Sequence, residues 1–431
     1  MTESTVTQVP GNFTQAPLHS PPQGSRGEAP RPSAGLQGAA FDPVAAFQAN
    51  SFNNSVLSHI ERLTTMPRAG LLAPQGASAT PPPPTGAPPT TFSQTARSNF
   101  AQWDTNHDGS LSREELQNAI VSSSNRGDNA AALSTLYTLY DKIRSLYPDG
   151  TFVEGGVSLN DLSVYEHRNQ NSPNDDTTSS INGRFSSMRA QIAGQSRQVF
   201  ANGAPNPEAI QQGYLGDCYF IAPLYGLCRN NPQAVRNMIT DNGNGTYTVR
   251  LPGRDPATVS TPTDAEIAIY ACAGADGLWL AIIEKAYGQT INNGAWFSTS
   301  TIPAEAADGG GLIRTGLGAV TGHGVDVDWL WCTRYGTTRN KLQEALQNGR
   351  VITAATVRNP SLRGIAGNHA YAITGHNADT NRIRFRNPWG FGGEPTNAGG
   401  QAQDGSNDGI FEISMEDFYA NFTAIGYDEG S

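Results

Sequence analysis

No run of about 18 apolar residues occurs anywhere in the chain, so a helical membrane span is not expected. Cysteine is scarce, with four in 431 residues, and none is arranged as C-x-x-C. That excludes a zinc ribbon and argues against a disulfide scaffold. Positive charge is also thin. The formal net charge is −10, and no basic stripe interrupts it, which argues against a nucleic-acid partner. The N-terminal Met1-Thr2-Glu3-Ser4 leads into no apolar segment of the secretory type, so the expectation is a reduced, cytoplasmic chain, with non-classical export left open. Hydrophobic content is only 37%, low for a single packed globule.

Proline is concentrated instead. Fifteen of the 28 prolines lie within residues 1–90, ending in Pro81-Pro82-Pro83-Pro84 and Pro88-Pro89. Residues 1–91 therefore read as a disordered tail with a stiff end. Short amphipathic stretches from Phe41 to Phe47 and from Val56 to Leu63 interrupt it. Residues 92–168 read as a small all-helical module. Residues 169–199, with Asn169-Gln170-Asn171-Ser172-Pro173-Asn174-Asp175-Asp176, read as a linker. From 200 to 431 the chain is dense in aromatic and aliphatic residues. Its helical periods fall at 218–230, 277–288 and 338–348, and strand-like alternation at 351–355, 370–374, 382–386 and 409–414. The whole is an α+β pattern.

Two stretches in that last region carry chemistry. In the first, Gly216-Asp217 reads as a turn and helix cap ahead of Cys218, and Phe220, Ile221, Leu224, Tyr225 and Leu227 follow at helical spacing. Cys218 then lies in the first helical turn, where the helix dipole favours thiolate. Gln212, six residues upstream, is placed to donate to an oxyanion alongside the Cys218 backbone N–H. In the second, His369, Tyr371 and Ile373 share one face of a strand, and parity turns His376 away from it. Asn387-Pro388-Trp389-Gly390 ends the next strand, leaving the Asn387 carbonyl to fix an imidazole tautomer. A lone cysteine is most often a small buried hydrophobe. The turn, the glutamine, the histidine and the asparagine together outweigh that for Cys218. Cys228, Cys272 and Cys332 are expected in the core.

These residues resemble the calpain family of papain-like cysteine proteases. Gln212 to Cys218 follows Q-G-x-L-G-D-C, Gly367 to Tyr371 follows G-x-H-A-Y, and Arg386 to Gly390 is R-N-P-W-G. Leu280 to Tyr287 and Asn407 to Ser414 resemble two further family segments. The resemblance implies a two-lobed papain-like core, with Cys218 on a helical lobe and His369 and Asn387 on an antiparallel β lobe. It implies a calcium-dependent endopeptidase acting on protein substrates. Cys218 would be nucleophile, His369 general base and acid, Asn387 its orienter and Gln212 an oxyanion donor. Glu284 and Asp408 match family calcium positions, but Ala209 and Ile410 stand where further acids are expected, and Pro223 is unusual inside the nucleophile helix.

A calcium loop precedes this core. Asp104, Asn106, Asp108 and Ser110 occupy EF-hand positions one, three, five and seven, Gly109 the turn and Glu115 the twelfth position. Gly155 to Leu162 resembles the second half of a partner loop, whose front at Gly150, Phe152 and Glu154 lacks two of three ligands. Calcium is therefore the expected cofactor. The alternative function is a catalytically inactive, calcium-binding adaptor.

Overall fold

The computed structural model describes residues 91–147, 156–295 and 300–430. The expected tail (save Thr91), its amphipathic stretches and the front of the second loop lie outside the described residues.

The first helix, Phe92–Trp103, starts at a capping box made by Thr91 and Gln94. It buries Phe92, Ala96, Phe100 and Trp103 as one stripe. A loop and the helix Arg113–Ile120 follow, then helices Asp128–Thr138 and Tyr140–Ile143. Strand β1 (Ser110–Leu111) leaves the first loop and pairs antiparallel with β2 (Val157–Ser158), matching Leu111 with Val157. Helix Leu159–Asn171 completes this layer.

The segment expected as a linker is instead largely helical, over Asp176–Gly194. Its Asn/Asp-rich start is a turn and a cap, in which Asp175 accepts from the Thr177 and Thr178 amides. Beyond the cap, Ile181, Phe185, Met188 and Ile192 form a sparse stripe that is fully packed. The module boundary is also less sharp than composition suggests. Phe92, Trp103, Leu136, Phe185 and Met188 share one hydrophobic core with Leu215, Ile269 and Tyr270.

A second core surrounds the helix Cys218–Asn230 and the long helix Trp279–Gly294, flanked by a small sheet of β3 (Ile239–Asp241), β4 (Thr246–Val249) and β5 (Ala257–Ser260). Pro223 lies within the first of these helices without ending it.

The third layer is a six-stranded antiparallel sheet. Its strands are β6 (Val325–Trp329), β7 (Ile352–Thr356), β8 (Ala370–Asn377), β9 (Arg382–Arg386), β10 (Ile410–Ser414) and β11 (Phe422–Asp428), in the order β10-β9-β8-β7-β11-β6. Ala355, Ala370, Ala372 and Ala424 pack with the Cys218 helix, and their small side chains allow close approach. Tyr371, Ile373, Phe385, Phe411 and Phe422 form a separate aromatic core with Leu342 of helix Tyr335–Gln347. Among the described residues, no helix is long and apolar enough to cross a membrane.

Candidate active site

Cys218 is the first residue of its helix. Asp217 occupies the cap position but makes no side-chain cap bond, contrary to the sequence expectation. Its carboxyl is fully buried beside Glu284 and Gln212 instead. Burial pushes both Asp217 and Glu284 up from the ordinary carboxyl range; the Asp217 charge raises Glu284 further, whereas at Asp217 the hydrogen bond with Glu284 works against the rise and the Asp308 charge adds to it. The Glu284 carboxylate also accepts from the Ala271 N–H at 2.7 Å.

The rest of that long helix supports the thiol segment. Lys285 forms a buried 2.7 Å ion pair with Glu266. Tyr287 stacks on Phe220, with centroids 3.8 Å apart, and its hydroxyl meets that of Tyr219. Tyr287 and Glu284 thus meet the Cys218 helix and its cap, while Lys285 ties the same segment to the helix Asp264–Ile269.

On the sheet side, Asn368 takes a left-handed conformation (φ 50°) and turns the chain into β8, delivering His369 at the strand's entrance. His369 Nε2 lies 2.8 Å from Asn387 Oδ1. The amide orientation of Asn387 is set independently, because its Nδ2 donates to the Phe391 and Gly392 carbonyls (3.1 and 2.7 Å). Oδ1 can only accept, so Nε2 carries the hydrogen and Nδ1 is the basic nitrogen of the neutral ring. A Cβ at Gly393 would fall 2.3 Å from Asn387 Nδ2, so glycine is required for this amide to seat. Trp389 lies over the imidazole at 4.5 Å between centroids, and Tyr371 meets it edge-on at 4.9 Å.

The two sides meet directly. The Ala370 amide, next to His369, faces the Cys218 thiol. The Gln212 N–H donates to the Pro388 carbonyl at 2.8 Å, joining the first motif to the third. Gln212 Nε2 donates to the Leu215 carbonyl at 2.6 Å. Arg386 lies over the Tyr225 ring at 5.5 Å and 3.8 Å from Glu208, so it links the sheet to the Cys218 helix.

The helix dipole does not prevail at Cys218 in this arrangement. Burial pushes the thiol up to about 12, only partly offset by the Ala370 amide. Cys218 is 3% exposed, His369 2% and Asn387 0%, so no substrate carbonyl reaches the sulfur here. Cys228 is buried as expected, whereas Cys272 is half-buried and Cys332 exposed, contrary to expectation. Iodoacetamide is accordingly expected to label Cys332 first in calcium-free protein, with Cys218 lagging by at least about 10-fold. Peptide mapping that finds Cys218 labelled first would show that the resting protein is already open.

The exclusion of His376 stands on a different ground from parity. A bulge in β8 between Ile373 and Gly375 restores His376 to the face of Ile373, opposite Ile383. It is removed by distance, about 23 Å along the strand from His369, where it meets Gln343 and Asn381.

In the first loop, the Gly109 N–H donates to Asp104 Oδ2, while Asp104 Oδ1 is buried without a hydrogen-bond partner. Glu115 Oε1 accepts from the Thr105 and Asn106 amides, and Oε2 from the Ser112 amide. Partial burial opposes its charge, but these hydrogen bonds, led by that of the Ser112 amide, hold Glu115 below the ordinary value. Hydrogen bonds from Ser110 and Asn106 do the same for Asp108. Among the described residues, no three His, Cys, Asp or Glu side chains gather into a metal-holding group.

Glu394 escaped the sequence reading. It is buried near Asp404 and Asp408, and burial followed by those two charges pushes it up to about 8. It lies in the Gly-rich loop after Trp389, where no motif in the sequence marks it.

A helix-borne thiol set against a sheet-borne histidine–asparagine pair is the construction of a cysteine peptidase domain. The chain belongs to the calpain family: residues 169–427, more than half of it, match the family model described as calpain family cysteine protease. It is 24% identical to Calpain-13 of Rattus norvegicus over 263 residues, covering 50% of this chain and 36% of that one. It is 25% identical over 320 residues to Calpain-type cysteine protease DEK1 of Arabidopsis thaliana, covering 64% and 14%. It is 26% identical over 259 residues to Calpain clp-4 of Caenorhabditis elegans, covering 50% and 34%. The chain thus spans little more than a third, or less, of the length of these relatives.

Proposed function

We propose that the chain is a calcium-responsive cysteine endopeptidase that cleaves proteins through Cys218, His369 and Asn387. The single observation carrying this is the His369–Asn387 contact, whose fixed amide leaves Nδ1 as base next to the residue that meets the thiol. In the reaction, Nδ1 takes the Cys218 proton as sulfur attacks the scissile carbonyl. The oxyanion is received by the Cys218 N–H and by the second N–H of the Gln212 amide, the first being held by the Leu215 carbonyl. His369 then gives the proton to the leaving amine, and water hydrolyses the thioester. The papain-like two-lobed organisation follows: Cys218 on the helical lobe, His369 and Asn387 on the β lobe, with the closed thiol as the resting state. Casein hydrolysis by the intact chain, with and without calcium, is the test. Absence of hydrolysis at every calcium concentration would favour the adaptor reading.

Calcium would act at the first loop, read as an EF-hand in residues 92–168, through Asp104, Asn106, Asp108, Ser110 and Glu115. The buried, unfilled Asp104 Oδ1 fits a cation, as do the charged states of Asp108 and Glu115. Glu115 would have to exchange its amide partners for the ion, and Gln117, on the same helix, donates to Glu305 of the core at 2.9 Å. Tyr137 bonds the other Glu305 oxygen. That contact is a physical route from loop to core. Combining Asp104→Ala with Glu115→Gln is expected to raise the calcium needed for half-maximal activity by about 10-fold or more. An unchanged calcium titration would make the loop a local fold stabiliser.

A further inference from the structure

The segment after the long helix carries none of the three motifs, yet it grips the nucleophile turn. Residues Pro303–Ala307 form a short 3-10 turn that ends on Asp308, whose N–H donates to the Glu305 carbonyl. Asp308 Oδ1 then accepts two backbone groups, the Gly216 N–H at 2.7 Å and the Gly309 N–H at 2.9 Å. A Cβ at position 216 would sit 3.0 Å from that oxygen, close enough to press on the carboxylate. Gly216 follows Leu215, whose carbonyl holds the Gln212 amide, and stands two residues before Cys218. The tied peptide therefore lies between the two groups that must converge on one oxyanion.

We propose that Asp308 is a positioning residue of the thiol site: by holding the Gly216 peptide, it keeps the Cys218 N–H and the Gln212 amide in mutual register. This rests on the cysteine-peptidase reading above. Asp308 touches neither the thiol nor the imidazole; its hydrogen bond to the thiol turn is to the Gly216 N–H, and its charge also bears on buried Asp217 and Glu284. A carboxylate oxygen suits the task because it takes two N–H donors at once. Its negative charge opposes a nearby thiolate, so the contribution is one of geometry rather than of field. Oxyanion donors are effective only within a window about 0.4 Å wide, and a misplacement of about 1 Å costs roughly 100-fold in rate.

The test compares Asp308→Ala and Asp308→Asn in the full chain, using a fluorogenic peptide and amide hydrogen exchange over residues 215–217. Asp308→Ala is expected to lower kcat by roughly 30- to 100-fold with KM within about threefold, and to speed Gly216 exchange by about 10-fold or more. Asparagine keeps the accepting oxygen, so Asp308→Asn is expected within about threefold of the parent in both readouts. Should Asp308→Ala not fold, Gly216→Ala, which wedges a methyl group against the carboxylate, is expected to lower kcat with KM held; unchanged kcat there overturns the proposal. Parent-like kcat and exchange in a folded Asp308→Ala also overturn it, as does an Asp308→Asn as impaired as the alanine. Faster Gly216 exchange in Asp308→Ala, in a protein that never hydrolyses the peptide, would uphold the tie and sink the peptidase reading.

Discussion

Cys218→Ala is expected to abolish casein hydrolysis, with kcat falling by about 10⁵- to 10⁶-fold. No other thiol is placed to substitute. Cys228 lies buried ten residues along the same helix, with its sulfur against the Pro205 carbonyl. Cys332 lies just past the edge strand β6 and contacts the Trp329 carbonyl. Removing the sulfur leaves only a small void at a site packed by Tyr219, Ala370 and Ala372, so the variant should fold normally. Its thermal midpoint is expected within about 4 °C of the parent, a shift corresponding to roughly 1–2 kcal/mol for a domain of this size. Residual activity above about 1% at saturating calcium would place the nucleophile elsewhere.

Lys285→Met is expected to be the most destabilising single change outside the thiol site, at about 3–5 kcal/mol. The Lys285–Glu266 pair has side-chain exposures of 5% and 0%. Glu266 also accepts from the Tyr270 hydroxyl and the Thr263 amide, so its carboxylate is built in place and does not leave when lysine does. Methionine fills the volume but strands that charge. Adding Glu266→Gln should recover at least about 1 kcal/mol, because a neutral amide then occupies the vacated site. Urea unfolding monitored by far-UV circular dichroism reads both variants. A loss below about 1 kcal/mol for Lys285→Met would show that water reaches the pair. The site borders the core shared by Ile269 and Tyr270 with the N-terminal helices, so the variant should also loosen that contact.

The elements that carry Cys218 and Asn387 are legible where a period and a terminator coincide. Helix 218–230 begins at the expected residue because Gly216-Asp217 breaks the chain and an apolar stripe follows. Strand β9 ends at Arg386 because Pro388 lacks the N–H that would extend the ladder. Legibility failed where the signal is tertiary. Strands β6 and β11 were missed although both alternate or are apolar, since their pairing partners lie about 100 residues apart. The helix Asp176–Gly194 hid behind a polar cap, its stripe recognisable only from what packs against it. One bulge in β8 undid the parity used for His376, and nothing local announces an extra residue in a strand. Asp217 was read as a cap because glycine–aspartate before a helix favours one. The fully buried Glu284, 67 residues away, draws its side chain inward instead. Asp308 belongs to the same class: its role depends on meeting Gly216 across 92 residues, a contact that no sequence spacing encodes.

The thiol chemistry is tested most directly by an irreversible peptidyl fluoromethyl ketone, added to the calcium-loaded chain and mapped by mass spectrometry. The geometry predicts one adduct, on Cys218, forming at least about 100-fold more slowly in His369→Ala, where the base is lost. An enzyme that hydrolyses casein yet carries its adduct on Cys332, or on no cysteine, would contradict the assignment of Cys218 and His369.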